Sequence, residues 1–136
     1  MNYVEQLDKS KSKPYLFSYR RCPYAMRARM ALVESKIEFD IYEISLRNKP
    51  QEMLSISPKG TVPILRVNEL VLDESLEIMK WAYQNSKSNQ LNVLESDKQN
   101  TANKLIKIND GKFKDFLDCY KYFERYPNKS KQEHRE

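Results

Sequence analysis

Residues 14–44 read PYLFSYRRCPYAMRARMALVESKIEFDIYEI, and this stretch decides the fold. Pro14 to Tyr19 is a short, aromatic-rich apolar run of the kind that forms a buried strand. After it, Ala25, Ala28, Met30, Ala31 and Leu32 recur at largely helical spacing, with Arg27, Arg29 and Glu34 among them. Pro23 suits the first turn of that helix, where a missing N–H costs nothing. Glu38 to Ile44 then alternates polar and apolar residues, the period of a second strand. Strand, helix and strand within about 30 residues make a βαβ unit, whose crossover is right-handed.

Downstream, residues 47–60 (RNKPQEMLSISPKG) read as a turn and a short helix, with Pro50 near its start and Gly60 as its stop. Residues 61–67 and 68–75 read as two strand segments joined by a tight turn around Asn68 and Glu69. Ser75 opens an amphipathic helix marked by Leu76, Ile78, Met79, Ala82 and Tyr83. The order β-α-β-α-β-β-α is complete by residue 85, and such an α/β chain closes a four-stranded mixed sheet between helices. Residues 1–13 are a polar, Lys/Ser-rich extension outside the first regular element, and 86–95 are a polar linker. Residues 96–126 form a partial helical segment in which Leu105, Ile108, Phe113, Phe116, Leu117, Tyr120 and Phe123 fall near helical spacing, with a break expected at Asp110 and Gly111. Residues 127–136 are a charged tail. One or two helices cannot bury an apolar stripe alone, so that segment is expected to pack on the first domain or on another chain.

Composition narrows the chemistry. Of 136 residues, 40% are hydrophobic, enough for a core. No run approaches the roughly 18 to 20 apolar residues of a membrane-spanning helix, and the N-terminus has no apolar stretch ahead of a cleavage site. Two cysteines, Cys22 and Cys119, are too few for a disulfide scaffold and lack metal-ligand spacing, so a reducing compartment, the cytoplasm, is expected and no metal site is assigned. The single histidine, His134 in the charged tail, argues against Ser-His-Asp, Cys-His and His-ligated zinc chemistry. The net charge of +5 is spread along the chain, which argues against nucleic acid. Only Arg20, Arg21, Arg27 and Arg29 form a local basic group.

Cys22 follows the first strand and immediately precedes Pro23 and the first helix. That position sets its sulfur at the positive end of a helix dipole, with Arg20 and Arg21 close in sequence, and both features favour the thiolate over the thiol. A stabilised thiolate gains more as a leaving group than as an attacking group, which suits thiol–disulfide exchange. A small buried hydrophobe is the bland alternative for a free cysteine. Three residues on stands Ala25, so no CxxC pair exists and any exchange cycle needs an external thiol such as glutathione. Cys119, on the apolar side of a helix, is a poor resolving partner. Pro63 is confined by sheet geometry to an edge, a bulge or a strand start. A cis bond before it would turn the Val62 backbone outward to pair with a peptide ligand, while a trans strand-entry proline meets the same constraint.

From Pro14 to Gln84 the chain resembles the N-terminal, thioredoxin-like domain of the cytosolic glutathione S-transferase superfamily. Within it the closest resemblance is to cysteine-type members: omega-class transferases, dehydroascorbate reductases and glutaredoxin-like relatives. The resemblance rests on Cys-Pro-Tyr-Ala at 22–25, Arg-Asn-Lys-Pro at 47–50, Gly-Thr-Val-Pro at 60–63 and Asp-Glu-Ser at 73–75, in order and at suitable spacing. It implies a thioredoxin-like fold and glutathione as co-substrate. Cys22 would form the mixed disulfide, and Val62, beside a cis Pro63, would pair with the cysteinyl residue of glutathione. Glu74 and Ser75 would hold the γ-glutamyl end through its ammonium and carboxylate, although Asp73-Glu74-Ser75 would by itself be read as a helix cap. Lys49 would lie near the glycyl carboxylate as a point charge. Pro23 and Tyr24 would line the pocket, and Tyr19, placed where tyrosine-type transferases activate glutathione, ranks behind Cys22.

In the family this domain precedes a larger all-helical one that receives the second substrate. Here only 96–126 and the charged tail follow, so the chain is expected to be a truncation or a reduced, glutaredoxin-like form, with exposed apolar surface that favours a homodimer or other self-association. The function implied is glutathione-dependent thiol transfer through Cys22 on a small disulfide or oxidant, such as dehydroascorbate. A non-catalytic protein-interaction module is the alternative, and conjugation of electrophiles a weaker one.

Overall fold

A computed structural model describes residues 1–6, 13–87, 96–128 and 130–135. Residues 7–12 of the N-terminal extension, 88–95 of the expected linker, and 129 and 136 of the tail lie outside the described residues. The chain divides into two compact units, Met1–Asn92 and Val93–Glu136.

The first unit runs β1 (Asn2–Tyr3), β2 (Tyr15–Ser18), α1 (Pro23–Glu34), β3 (Asp40–Glu43), α2 (Gln51–Ile56), β4 (Ile64–Val67), β5 (Leu70–Leu72) and α3 (Ser75–Gln84). The sheet order is β1-β3-β2-β4-β5. β2 pairs in parallel with β3, Leu16 beside Ile41 and Phe17 beside Tyr42. On its other edge it pairs antiparallel with β4, Leu16 beside Leu65 and Phe17 beside Ile64.

Successive strand side chains point to opposite faces, so this register builds two cores. On one face Leu16, Ile41 and Leu65 meet Ala28, Ala31 and Leu32 of α1 and Ile78 and Ala82 of α3. On the other, Phe17, Ile44 and Ile64 meet Met53 of α2, with Tyr15, Tyr19, Tyr42 and Val62 packed around them. A strand covered on both faces has no solvent side, which is why residues 15–18 read as an unbroken apolar run. The alanines of α1 let the helix lie close to the sheet, and the Ser86 hydroxyl and Lys87 N–H, just past α3, donate to the Ser35 carbonyl at the end of α1.

The expected four strands are present between residues 14 and 85. Asn2–Tyr3, expected outside the regular elements, adds a fifth, parallel to β3 at the sheet edge. Two exposed residues leave no periodic signal, and the pairing comes from the open edge of β3. Met30, read as part of the α1 apolar stripe, is 71% exposed. Ala25, Ala28, Leu32 and Ser35 define the buried side of that helix, and Met30 lies opposite them with Met26 and Val33. Gly60 does not stop α2, which ends at Ile56 with Ser57 as its C-cap. Gly60 instead takes a left-handed φ of 64° in the approach to β4, where an added Cβ would stand 3.2 Å from Leu54.

The second unit holds α4 (Ser96–Ile108), a wider π-type turn over Asn109–Phe113, α5 (Lys114–Lys121) and a 3₁₀ turn over Phe123–Arg125. The expected break falls at Gly111, whose φ of −102° and ψ of −110° depart from the helix. Leu105, Ile108, Phe113, Phe116 and Leu117 are exposed. Among the described residues no helix is long and apolar enough to cross a membrane.

The Tyr15 hydroxyl of β2 donates to the Glu52 carboxylate of α2 at 3.2 Å. Burial, reinforced by the Glu52 charge, raises the phenol above its ordinary value, with Arg66 opposing. The folded chain thus favours neutral Tyr15 while the unfolded chain ionises first. This contribution is fully present below the ordinary phenol value of about 10 and is lost as pH rises through the raised folded value. Tyr15→Phe is therefore expected to flatten the alkaline decline of the urea midpoint between pH 9 and 11 relative to wild type; parallel declines would show that Tyr15 ionisation is not coupled to folding.

Candidate functional site

The C-terminal end of β2 sets the geometry. Ser18 is fully buried, and the Arg29 guanidinium, reaching back from α1, donates to the Ser18 Oγ, to the Tyr19 carbonyl at 3.5 Å and to the Arg20 carbonyl at 3.2 Å. The Arg20 N–H donates to a Glu43 carboxylate oxygen at 2.6 Å. These bonds hold the chain as it turns out of the sheet. The Cys22 N–H then donates to the Tyr19 carbonyl at 3.0 Å, and the Cys22 carbonyl accepts from the Met26 N–H at 2.9 Å. Cys22 is thus the N-cap of α1, in extended conformation, with Pro23 in the first turn.

Its half-buried thiol points at the segment before β4, where Sγ donates to the Val62 carbonyl at 3.6 Å. The Val62–Pro63 bond is cis. Residues 22 and 62, forty apart in sequence, meet because β2 and β4 are adjacent and the turn after one abuts the entry to the other. Lys49 approaches the same segment: its Nζ stands 3.6 Å from where a Gly60 Cβ would be.

The N-terminus of α3 is tied to this segment by two side chains. The Ser57 hydroxyl donates to Asp73 at 2.8 Å, and Lys59 forms an ion pair with Glu74. The Glu74 hydrogen bond holds the Lys59 ammonium above its ordinary value. Glu74 is the exposed N-cap of α3, and Ser75 behind it is buried, with its Oγ accepting from Arg27 Nε at 3.0 Å. The Arg27 guanidinium also stacks over Tyr24, 5.1 Å from the ring centroid.

Cys22, Val62 and Pro63 therefore stand in direct contact or adjacency, Lys49 lies beside Gly60, and Glu74 and Ser75 are joined to the same region through Lys59 and Arg27. Tyr19 is half-buried and packs into the second core, while Tyr24 forms the platform under Arg27 and Pro23 is exposed. Of the basic group read at residues 20–29, Arg27 and Arg29 serve contacts inside the unit. Lys59 and Arg27 were not singled out as site residues from sequence; their partners lie 15 and 48 positions away and carry no local signal. Cys119 lies on α5 of the second unit. Among the described residues no group of three or more His, Cys, Asp or Glu is placed to hold a metal ion.

The family model "Glutathione S-transferase, N-terminal domain" matches residues 16–90. A probable glutathione S-transferase DHAR2, chloroplastic, of Oryza sativa subsp. japonica is 40% identical over 48 residues, which are 35% of this chain and 18% of that protein. Glutathione S-transferase omega-2 of Homo sapiens is 35% identical over 57 residues, 42% of this chain and 24% of that protein. The crystal structure of glutathione transferase Omega 1C from Trametes versicolor aligns with a TM-score of 0.69 and 26% identity, covering 79% of this chain and 51% of that one. The matched segments thus span about a quarter or less of these two curated relatives.

The Arg29 bonds carry a stability prediction. Arg29→Met leaves a buried hydroxyl and two carbonyls without their charged donor, which is expected to cost about 1–3 kcal/mol in urea unfolding. Arg20→Met, at an exposed side chain, is expected to change it by less than about 0.5 kcal/mol. Equal effects of the two would refute the anchoring role of Arg29.

Proposed function

Since the chain belongs to the glutathione S-transferase family through its N-terminal domain, we propose that it is a glutathione-dependent thiol transferase acting through Cys22. The observation that carries this reading is the thiol of Cys22, at the N-terminus of α1, set 3.6 Å from the Val62 carbonyl beside cis Pro63.

The cycle balances without a second cysteine. The Cys22 thiolate attacks the glutathionyl sulfur of a mixed disulfide R–S–S–G, forms Cys22–S–S–G and expels RS⁻, which takes up a proton. The thiolate of a second glutathione attacks the glutathione sulfur of that intermediate, forms oxidised glutathione and returns the Cys22 thiolate. Reduction of dehydroascorbate is a variant in which two glutathiones supply the two electrons. In the bound state the Val62 backbone pairs with the cysteinyl residue, in place of its present contact with the thiol. Lys49 neutralises the glycyl carboxylate. Glu74 exchanges Lys59 for the ligand ammonium, and Ser75 with the first N–H groups of α3 takes the γ-glutamyl carboxylate. Surface ion pairs are worth little, so release of Lys59 is a small cost. The exposed apolar residues of α4 and α5 support self-association as part of this reading.

Cys22→Ser is expected to lower glutathione-dependent reduction of a small mixed disulfide at least about a hundredfold, while Tyr19→Phe stays within about threefold of wild type. Conjugation of a nitroaromatic electrophile that survives in Cys22→Ser and fails in Tyr19→Phe would transfer the role to Tyr19. Glutathione binding without turnover in wild type would identify a binding module instead.

A further inference from the structure

Arg20 and Arg21 are the two arginines of the basic group that no contact inside the unit absorbs. The Cys22 N–H donates to the Tyr19 carbonyl at 3.0 Å, which closes a four-residue turn with Arg20 and Arg21 as its central pair. The backbone of that turn is held on both sides. The Arg20 N–H donates to Glu43 at 2.6 Å, and the Arg20 carbonyl accepts from Arg29 at 3.2 Å. Both central side chains are nevertheless exposed, and neither guanidinium has a hydrogen bond or ion pair among the described residues. Arg29, also at this end of β2, is bonded to a hydroxyl and two carbonyls and to no carboxylate. Three guanidiniums thus stand against one carboxylate in contact with the turn, Glu43. The Cα atoms of Arg20 and Arg21 lie within about 7 Å of that of Cys22, roughly one Debye length at physiological ionic strength.

We propose that Arg20 and Arg21 recognise the group that leaves Cys22, and that the partner they fit is an acidic polypeptide carrying glutathione as a mixed disulfide. The inference rests on the thiol-transfer reading given under the proposed function. That reading draws its glutathione contacts from residues 49–75 and asks nothing of the turn at 19–22, so the two arginines are left to meet the group R of R–S–S–G. Two guanidiniums on successive residues of a held turn match two carboxylates flanking one cysteine. A small neutral disulfide offers no such pair. The transfer step is unchanged: the sulfur–sulfur bond of Cys22 to glutathione forms, and R–S⁻ leaves with both electrons of the broken bond and takes up a proton from water. The arginines act before that step, by raising the rate at which acidic partners reach the thiol, an effect that salt weakens.

The test uses the full chain and two synthetic peptides, each with one cysteine held as a mixed disulfide with glutathione and differing only in Asp or Lys on either side of it. The quantity read is the ratio of kcat/KM for the Asp peptide to that for the Lys peptide, with glutathione as the reducing thiol. Wild type is expected to favour the Asp peptide about tenfold at low salt, and about twofold or less when the Debye length is cut to roughly 5 Å. Arg20→Gln/Arg21→Gln is expected to bring the low-salt ratio to within about twofold of unity, chiefly through KM, and Arg21→Glu to favour the Lys peptide. Arg20→Lys/Arg21→Lys keeps the charge and is expected to retain most of the preference. A ratio that persists in the Gln variant, or one that does not respond to salt, overturns the proposal. If the Gln variant does not fold, the wild-type ratio and its salt dependence decide the matter alone. Equal turnover of the two peptides by wild type overturns this inference only, whereas wild type that reduces neither peptide and does not bind glutathione overturns the reading of the site itself.

Discussion

The two-edged pairing of β2 is the constraint on which the rest depends. Its four residues pair with β3 on one side and three of them, Tyr15 to Phe17, with β4 on the other, and its alternate side chains, Leu16 and Phe17, each anchor a separate core. A slip of one residue would move Leu16 to the α2 face and Phe17 to the α1–α3 face, so neither core could form as it does. That same register fixes where β2 ends, and therefore where the chain turns through Tyr19 to Cys22 and how close that turn comes to Val62. The bonds of Cys22 to Tyr19 and Met26 are local, but its approach to Val62 is set by the packing of a strand on which it does not lie.

The turn itself has to be held, because the end of a buried strand exposes carbonyls that no ladder satisfies. Arg29 supplies that need from α1, and its bond to the Ser18 hydroxyl satisfies a fully buried polar group. A run of arginines that resembles a binding face in sequence thus becomes, in part, the internal fastening of the helix to the strand before it. Arg27 repeats the arrangement toward α3. Both arginines act here as fastenings between elements.

What could be read from the chain follows the range of the interactions involved. The strand at 15–18, the helix begun by Pro23 and the alternation in 38–44 are local patterns, and the sheet follows from them. The segments around Cys22, Pro63 and Ser75 were legible because each pairs an unusual residue with a strand or helix boundary. Legibility failed where geometry depends on a distant partner. Asn2 and Tyr3 become a strand only because β3 offers an open edge, Met30 faces outward although it is as apolar as Leu32, and Gly60 is required by a left-handed turn against Leu54 rather than by the end of a helix. Arg27 and Lys59 are two more basic residues until α3 is packed beside them.

The bonds from Ser86 and Lys87 to the Ser35 carbonyl have a mechanical meaning. They clasp the end of α3 to the end of α1 opposite Cys22, a helix of twelve residues, about 18 Å long, away from the sulfur. Lys87 is therefore anchored far from the thiol, and a pull applied at that residue loads the clasp at Ser35 before it reaches the turn that holds Cys22. The Cys22 turn thus sits on the slack side of that knot.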